Sequence, residues 1–180
     1  MGNIAVHEFI TLDGVIESPR WTFEYGFDPK MGEAIGAIVG DSRGILLGRQ
    51  TYEEFAPAWS TRTASEDPGA PFFNESPKYV VSGTLQNADW NNSTVLGPYD
   101  PGAIAELKER VGNLYLSGSA TLVRGLLADG LVDELHLFVF PLTLGAGKRL
   151  FDSGSQLKLK LLDTETYDNG SVHLAYGPAQ

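Results

Sequence analysis

Two short segments of this sequence carry the residue types that hold phosphate. Leu114-Tyr115-Leu116 reads as a buried strand running into Ser117-Gly118-Ser119-Ala120-Thr121, where a helix pattern opens. Gly44-Ile45-Leu46-Leu47 runs in the same way into Gly48-Arg49-Gln50-Thr51. A strand-to-helix turn leaves backbone N–H groups without intrahelical partners, and the helix dipole favours an anion beside them. Small residues let the backbone approach a phosphate, and hydroxyls add donors without bulk. Two such cradles in one small domain predict an extended nucleotide, not a single phosphate. The plain alternatives are turn and capping chemistry for Ser117 and Ser119, and a surface ion pair for Arg49.

The rest of the composition narrows the ligand. Thirteen Lys and Arg stand against 23 Asp and Glu, a formal charge of −10. Such a surface repels a phosphate backbone, which argues against a nucleic-acid partner. Any phosphate must be held locally, by amides and one or two arginines. With no cysteine, disulfides, a thiolate nucleophile and a Cys-based zinc site are excluded. Met1-Gly2-Asn3-Ile4 enters a strand pattern at once, so no signal peptide is expected. No run approaches the roughly 20 apolar residues of a membrane span, and the cytoplasm is the expected compartment.

The elements that must position these turns follow from periodicity. Ile4 to Ile10 alternates as a strand, then Leu12-Asp13-Gly14-Val15-Ile16 turns away. Ser18 to Pro29 is rich in aromatics and turn formers. Met31, Ala34, Ile35, Ile38 and Val39 recur at helical spacing. Arg49 to Phe55 reads as a short helix and Ser60 to Pro77 as a long loop. Lys78 to Ser82 is a strand. Asp100-Pro101 starts a helix with an N-cap and a first-turn proline. Ser119 caps a helix ended by Gly130. Glu134 to Phe140, Leu157 to Tyr167 and Ser171 to Tyr176 are strands, with Asp168-Asn169-Gly170 a hairpin signal between the last two. Strands alternate with helices up to Gly130, and only strands follow. The expected class is α/β: one domain over residues 1–180, a mostly parallel central sheet flanked by helices, closed by a C-terminal antiparallel hairpin.

Several motifs fail. Gly145-Ala146-Gly147-Lys148 has Leu142 where a P-loop needs its first glycine, and Arg149 where it needs Ser or Thr. Nor is it a dinucleotide fingerprint, because Leu150 takes the third glycine position. It reads as a glycine turn. His7, His136 and His173 fall in separate strand patterns and read as packed strand histidines, not metal ligands. Ser117-Gly118-Ser119 has no identifiable acid and histidine partners for a nucleophile elbow.

Five segments, in order, resemble the dihydrofolate reductase fold, closest to the reductase domain of bacterial riboflavin biosynthesis and its stand-alone relatives. They are Thr11-Leu12-Asp13-Gly14-Val15-Ile16, Leu47-Gly48-Arg49-Gln50-Thr51-Tyr52-Glu53, Tyr79-Val80-Val81-Ser82-Gly83-Thr84-Leu85, Leu116-Ser117-Gly118-Ser119-Ala120-Thr121-Leu122, and Pro141 to Phe151. The resemblance spans Ile4 to Tyr176. It implies a nicotinamide cofactor, usually NADPH, with NADH possible. It places Gly48, Arg49 and Thr51 at phosphates, and Ser82 and Thr84 at the adenosine end. Ser117, Gly118, Ser119, Ala120 and Thr121 would wrap the pyrophosphate. Asp13, Gly14, Val15 and Ile16 would form the loop beside the nicotinamide. Relatives often carry a basic residue where Gly83 stands, which bears on NADP preference. The folate enzymes place a carboxylate just after a Pro-Trp pair to supply a proton. Glu24, three residues after Trp21, is the nearest candidate here, and Asp13 is a second proton-relay candidate.

The expected activity is therefore hydride transfer from NAD(P)H to a planar heterocycle, such as a pterin or a ribosylated pyrimidine. The aromatic segment Trp21 to Phe27 would supply stacking surface. A non-catalytic nucleotide-binding protein that keeps the cradles is the alternative. A homodimer is expected, because the run Leu135 to Leu144 is apolar on both strand phases and needs cover on both faces. Cover by helices of the same chain would meet that need equally.

Overall fold

The computed structural model describes residues 1–152, 154 and 156–179. Eight strands form one sheet: β1 (Ile4–Thr11), β2 (Gly44–Gly48), β3 (Lys78–Val81), β4 (Ser93–Gly97), β5 (Leu114–Leu116), β6 (Glu134–Phe140), β7 (Leu159–Thr166) and β8 (Val172–Pro178). Among the described residues five α-helices connect them, α1 (Pro29–Gly40), α2 (Arg49–Trp59), α3 (Ala70–Glu75), α4 (Pro101–Val111) and α5 (Ala120–Ala128), with a 3-10 helix over Pro19–Tyr25. The strand order is β4-β3-β2-β5-β1-β6-β8-β7. All pairs from β4 to β6 are parallel, and β8 pairs antiparallel with both β6 and β7. The α/β sheet with its antiparallel C-terminal hairpin is thus present.

Right-handed crossovers decide which helix covers which face. From β1 to β2 and β2 to β3 the chain moves one way along the sheet, and α1, α2 and α3 pack on one face. Their Met31, Ile38, Tyr52 and Phe73 meet Ile45, Leu47, Phe138 and Phe140. From β4 to β5 and β5 to β6 the chain moves the other way. There α4 and α5 pack Ile104, Leu107, Val123 and Leu126 against Ile4, Val6, Leu46 and Leu135 on the opposite face.

The double apolar phase of β6 is resolved by these two cores. Leu135 and Leu137 enter one and Phe138 and Phe140 the other, so cover comes from within the chain. Three expectations need correction. The segment read as a loop from Ser60 to Pro77 contains α3, because Phe72 and Phe73 dock its single turn and a half. Phe73 stacks on Trp59 at 4.2 Å between centroids. The helix opening at Arg49 runs on past Phe55 to Trp59, with Pro57 inside it. Strand β4 carries no expected pattern: it is a short, half-exposed edge strand held by pairing with β3.

Candidate active site

The strand order places a crevice where the connections diverge. Strands β2 and β5 are neighbours, with Leu46 paired to Leu116, yet α2 leaves to one face and α5 to the other. Such a topological switch point opens a crevice at the carboxyl ends of parallel strands, where ligands of open α/β sheets bind.

Both cradles lie there and touch. A Cβ added to Gly48 would stand 2.6 Å from Ser119 Oγ. One added to Gly118, whose φ is +64°, would stand 2.7 Å from Thr51 Oγ1. Each glycine is therefore required by close approach of the other turn, and Gly118 by its left-handed backbone as well. The Gly118–Ser119 peptide is cis. Neither helix is capped by a side chain: Gly48 before α2 has none, and Ser119 before α5 makes no capping hydrogen bond. By contrast, Asp28 caps α1 and Asp100 caps α4. The free donors of α2 and α5 thus converge on one crevice. Thr51 and Ala120 are buried, Ser117 and Ser119 half-buried, and Thr121 exposed. Arg49 reaches Glu53 at 2.8 Å in a half-exposed pair, the surface ion pair that is its plain alternative. Ser82, at the end of β3, accepts the amides of Thr84 at 3.2 Å and Leu85 at 2.9 Å.

The loop after β1 is stitched to the fifth segment. Leu12 N–H donates to Leu142 O at 2.9 Å, Ile16 N–H to Lys148 O at 3.0 Å, and Leu150 N–H to Gly14 O at 2.9 Å. Val15 and Ile16 are buried under it. Asp13 accepts from Thr11 Oγ1 at 2.6 Å, Gly145 N at 2.7 Å and Leu144 N at 3.2 Å. The Thr11 hydroxyl first, then the amides, hold its carboxyl down at about 2. A carboxylate so engaged holds the loop and gives up its proton readily. Glu24 lies on a 3-10 helix, Pro19–Tyr25, and is exposed. In the same helix Trp21 is buried against Phe140 at 5.4 Å. The exposed rings of the segment are Phe23 and Phe27, and Trp21 is not available for stacking on a ligand.

One acid of the site is absent from the sequence reading. Glu8 sits on β1 with only 4% of its surface exposed, and its Oε1 accepts the Gly118 amide at 2.5 Å. Burial raises its carboxyl to about 8, against a smaller lowering by the Gly118 amide. A charged residue inside the apolar alternation Ile4 to Ile10 is the signal that could have found it. The same bond engages the Gly118 amide, so that donor is taken within the chain.

The three histidines do converge. His7 and His136 are paired neighbours on β1 and β6, and His136 Nδ1 lies 3.0 Å from His173 Nε2 on β8. His136 Nε2 meets Glu134 at 2.9 Å. Among the described residues no group of His, Cys, Asp and Glu is arranged to hold a metal. His136 and His173 line a cavity of about 650 Å³ together with Asn3, Lys30, Glu33 and Glu165. It opens at the amino ends of the parallel strands, opposite the cradles, and no cradle residue lines it. The two uncapped helix N-termini lie at the crevice, so the crevice and not this cavity is the candidate site. No helix among the described residues is long and apolar enough to cross a membrane.

Known proteins share this architecture. A protein from Shewanella sp. PV-4 described as a "putative riboflavin biosynthesis protein" superposes with a TM-score of 0.78 at 24% identity over 100% of both chains. The Thermotoga maritima diaminohydroxyphosphoribosylaminopyrimidine deaminase/5-amino-6-(5-phosphoribosylamino)uracil reductase superposes with a TM-score of 0.65 at 16% identity. That match covers 99% of this chain and 57% of the Thermotoga chain. The uncharacterized protein YyaP of Bacillus subtilis (strain 168) is 30% identical over 178 residues, covering 93% of this chain and 90% of its own. The profile of the RibD C-terminal domain matches residues 3–173, and with the five segments set at the carboxyl ends of one sheet, the chain belongs to the RibD C-terminal domain family.

Proposed function

We propose that the protein is a reductase that binds a reduced nicotinamide dinucleotide in the crevice between β2 and β5 and acts on a planar heterocycle. The observation that carries this reading is the convergence of two uncapped helix N-termini on one crevice. Two facing cradles fit a pyrophosphate with a second phosphate beside it better than they fit a single anion. The donor set fits such a group: the amides of Ser119, Ala120 and Thr121 and the hydroxyls of Ser117, Ser119 and Thr51 can hold it without bulk. Arg49 supplies a cation once it leaves Glu53, at the small cost of an exposed ion pair. Ser82 and Thr84 serve the adenosine end. A bound nicotinamide supplies hydride chemistry there. The chain's own contribution is orientation, a wall of buried Val15 and Ile16 that keeps water out, and an aromatic surface at Phe23 and Phe27. Family membership supports a substrate of the pterin or ribosylated pyrimidine class.

Calorimetric titration with NADPH and NADH tests the cofactor, and loss of NADPH absorbance with a pterin or a ribosylaminopyrimidine tests the chemistry. No binding of either dinucleotide rejects the reading. Binding with no turnover of either substrate class favours the non-catalytic nucleotide-binding alternative.

A further inference from the structure

We propose that Glu8 links dinucleotide binding to a proton: the cradle accepts a pyrophosphate when the Glu8 carboxyl is neutral, and binding takes up one proton when it is not. This rests on the dinucleotide reading above. The geometry carries it. Glu8 Oε1 occupies the Gly118 N–H at 2.5 Å. Gly118 directly precedes Ser119, the uncapped N-cap of α5. A pyrophosphate on the next amides would therefore lie beside the Glu8 carboxyl, one peptide unit away from its own donor. A carboxylate there sets like charges side by side in a buried site, where they are screened least. A neutral carboxyl removes the repulsion and still accepts the Gly118 amide.

Among the described residues no neighbouring cation offsets a charge on Glu8. On β5 the titratable group is Tyr115, whose hydroxyl meets His7 Nδ1 at 2.7 Å on the other face of the sheet. On β6 the residue paired beside Glu8 is Leu137, and the strand's Glu134 and His136 bond each other. On α5 the one charged side chain, Arg124, is engaged by Asp152. On α2, Arg49 pairs with Glu53, and Glu54 follows. On the loop after β1, Asp13 is turned to the amides of Leu144 and Gly145. Burial and the Gly118 amide set the protonation of Glu8, and burial dominates.

The test is the dissociation constant of NADH, whose pyrophosphate does not titrate near neutrality, measured with NADPH beside it from about pH 6 to about pH 10. In the wild-type protein affinity should fall above about pH 8, approaching tenfold per pH unit for one linked proton. In Glu8→Gln, which keeps the acceptor for Gly118 and cannot ionise, the affinity should be flat over the same range. Calorimetry of the wild-type protein in two buffers of different ionisation enthalpy should find proton uptake approaching one above that pH. That measurement needs no variant, so the inference is tested even if Glu8→Gln fails to fold. Zero proton uptake, or the same pH profile in the wild type and Glu8→Gln, overturns the linkage and leaves the dinucleotide reading standing. Absence of binding at every pH rejects the dinucleotide reading itself.

Discussion

Glu8 and Gly118 stand 110 positions apart in the chain, and a 2.5 Å hydrogen bond joins them. That bond sets an acid under the turn proposed to hold a dinucleotide. It also has a consequence for stability that does not depend on any ligand.

Burial lifts the Glu8 carboxyl from 4.5 to about 8. The folded protein then keeps a proton that the unfolded chain releases, so stability falls as pH rises from about 4.5 to about 8 and levels off above. A tenfold change in proton affinity is about 1.4 kcal/mol, so the full effect is at most on the order of 5 kcal/mol. Urea denaturation of wild type and Glu8→Gln at pH 5 and pH 8 checks this. The variant should gain on the wild type between the two values, and a constant difference would refute the assignment.

On the acid side His7 contributes. Burial first, and then the nearby His136 and His173, lower its imidazole to about 3. Its contribution is complete above about 6.5 and is lost as pH falls towards about 3. Acid unfolding followed by circular dichroism should begin in this window and move to lower pH in His7→Gln. An unmoved midpoint would place the acid sensitivity elsewhere.

Gly118→Val should both destabilise the protein and weaken dinucleotide binding. The new Cβ meets Thr51 Oγ1 at 2.7 Å, on a residue with φ of +64°. The backbone strain alone costs about 1–3 kcal/mol. Adding Thr51→Ala should recover part of the melting temperature by removing the clash. No recovery in the double variant would mean that backbone conformation, and not contact between the cradles, makes the glycine necessary.

Cofactor choice is proposed to turn on Gly83 and Arg49. Gly83→Arg supplies a cation near Ser82 and Thr84, and its Cβ requires the Pro98 ring, 3.2 Å away, to give slightly. A charge-assisted contact to phosphate contributes about 1.5–3 kcal/mol, or roughly ten- to a hundredfold in affinity. The ratio of NADPH to NADH affinity should rise in Gly83→Arg and fall in Arg49→Ala. An unchanged ratio in Gly83→Arg would show that this turn does not face the adenosine ribose.

We propose a homodimer on a different basis from the apolar run of β6, which the chain covers itself. Leu161 and Leu162 on the edge strand β7 are about half exposed, at 49% and 51%. Beside them Leu174 and Tyr176 on β8 are only partly buried. Among the described residues no helix follows β6 to cover this end of the sheet. A dimer mass by light scattering at micromolar concentration is expected, lost or weakened in Leu161→Glu. A monomer in the unaltered protein would reject it.

Local chemistry makes the parts readable in the chain. Leu114-Tyr115-Leu116 followed by Ser117-Gly118-Ser119 is a buried strand meeting a turn whatever surrounds it, and Asp100-Pro101 starts a helix on its own terms. Asp28 and Asp100 cap their helices through contacts two or three residues away. The pairing of Gly48 with Ser119 and of Gly118 with Thr51 is another matter. It exists because β5, the fifth strand in sequence, inserts between β1 and β2, and strand order depends on contacts across the whole chain. The same insertion brings Glu8 under Gly118, and the pairing of β1, β6 and β8 gathers His7, His136 and His173. Strand β4 is illegible in the sequence because it is short and half-exposed and is held by backbone pairing with β3, which no local pattern encodes. Helix α3 is illegible because its turn is fixed by Phe73 stacking on Trp59. Side-chain periodicity reports what a segment buries, and only the assembled sheet decides which buried groups meet.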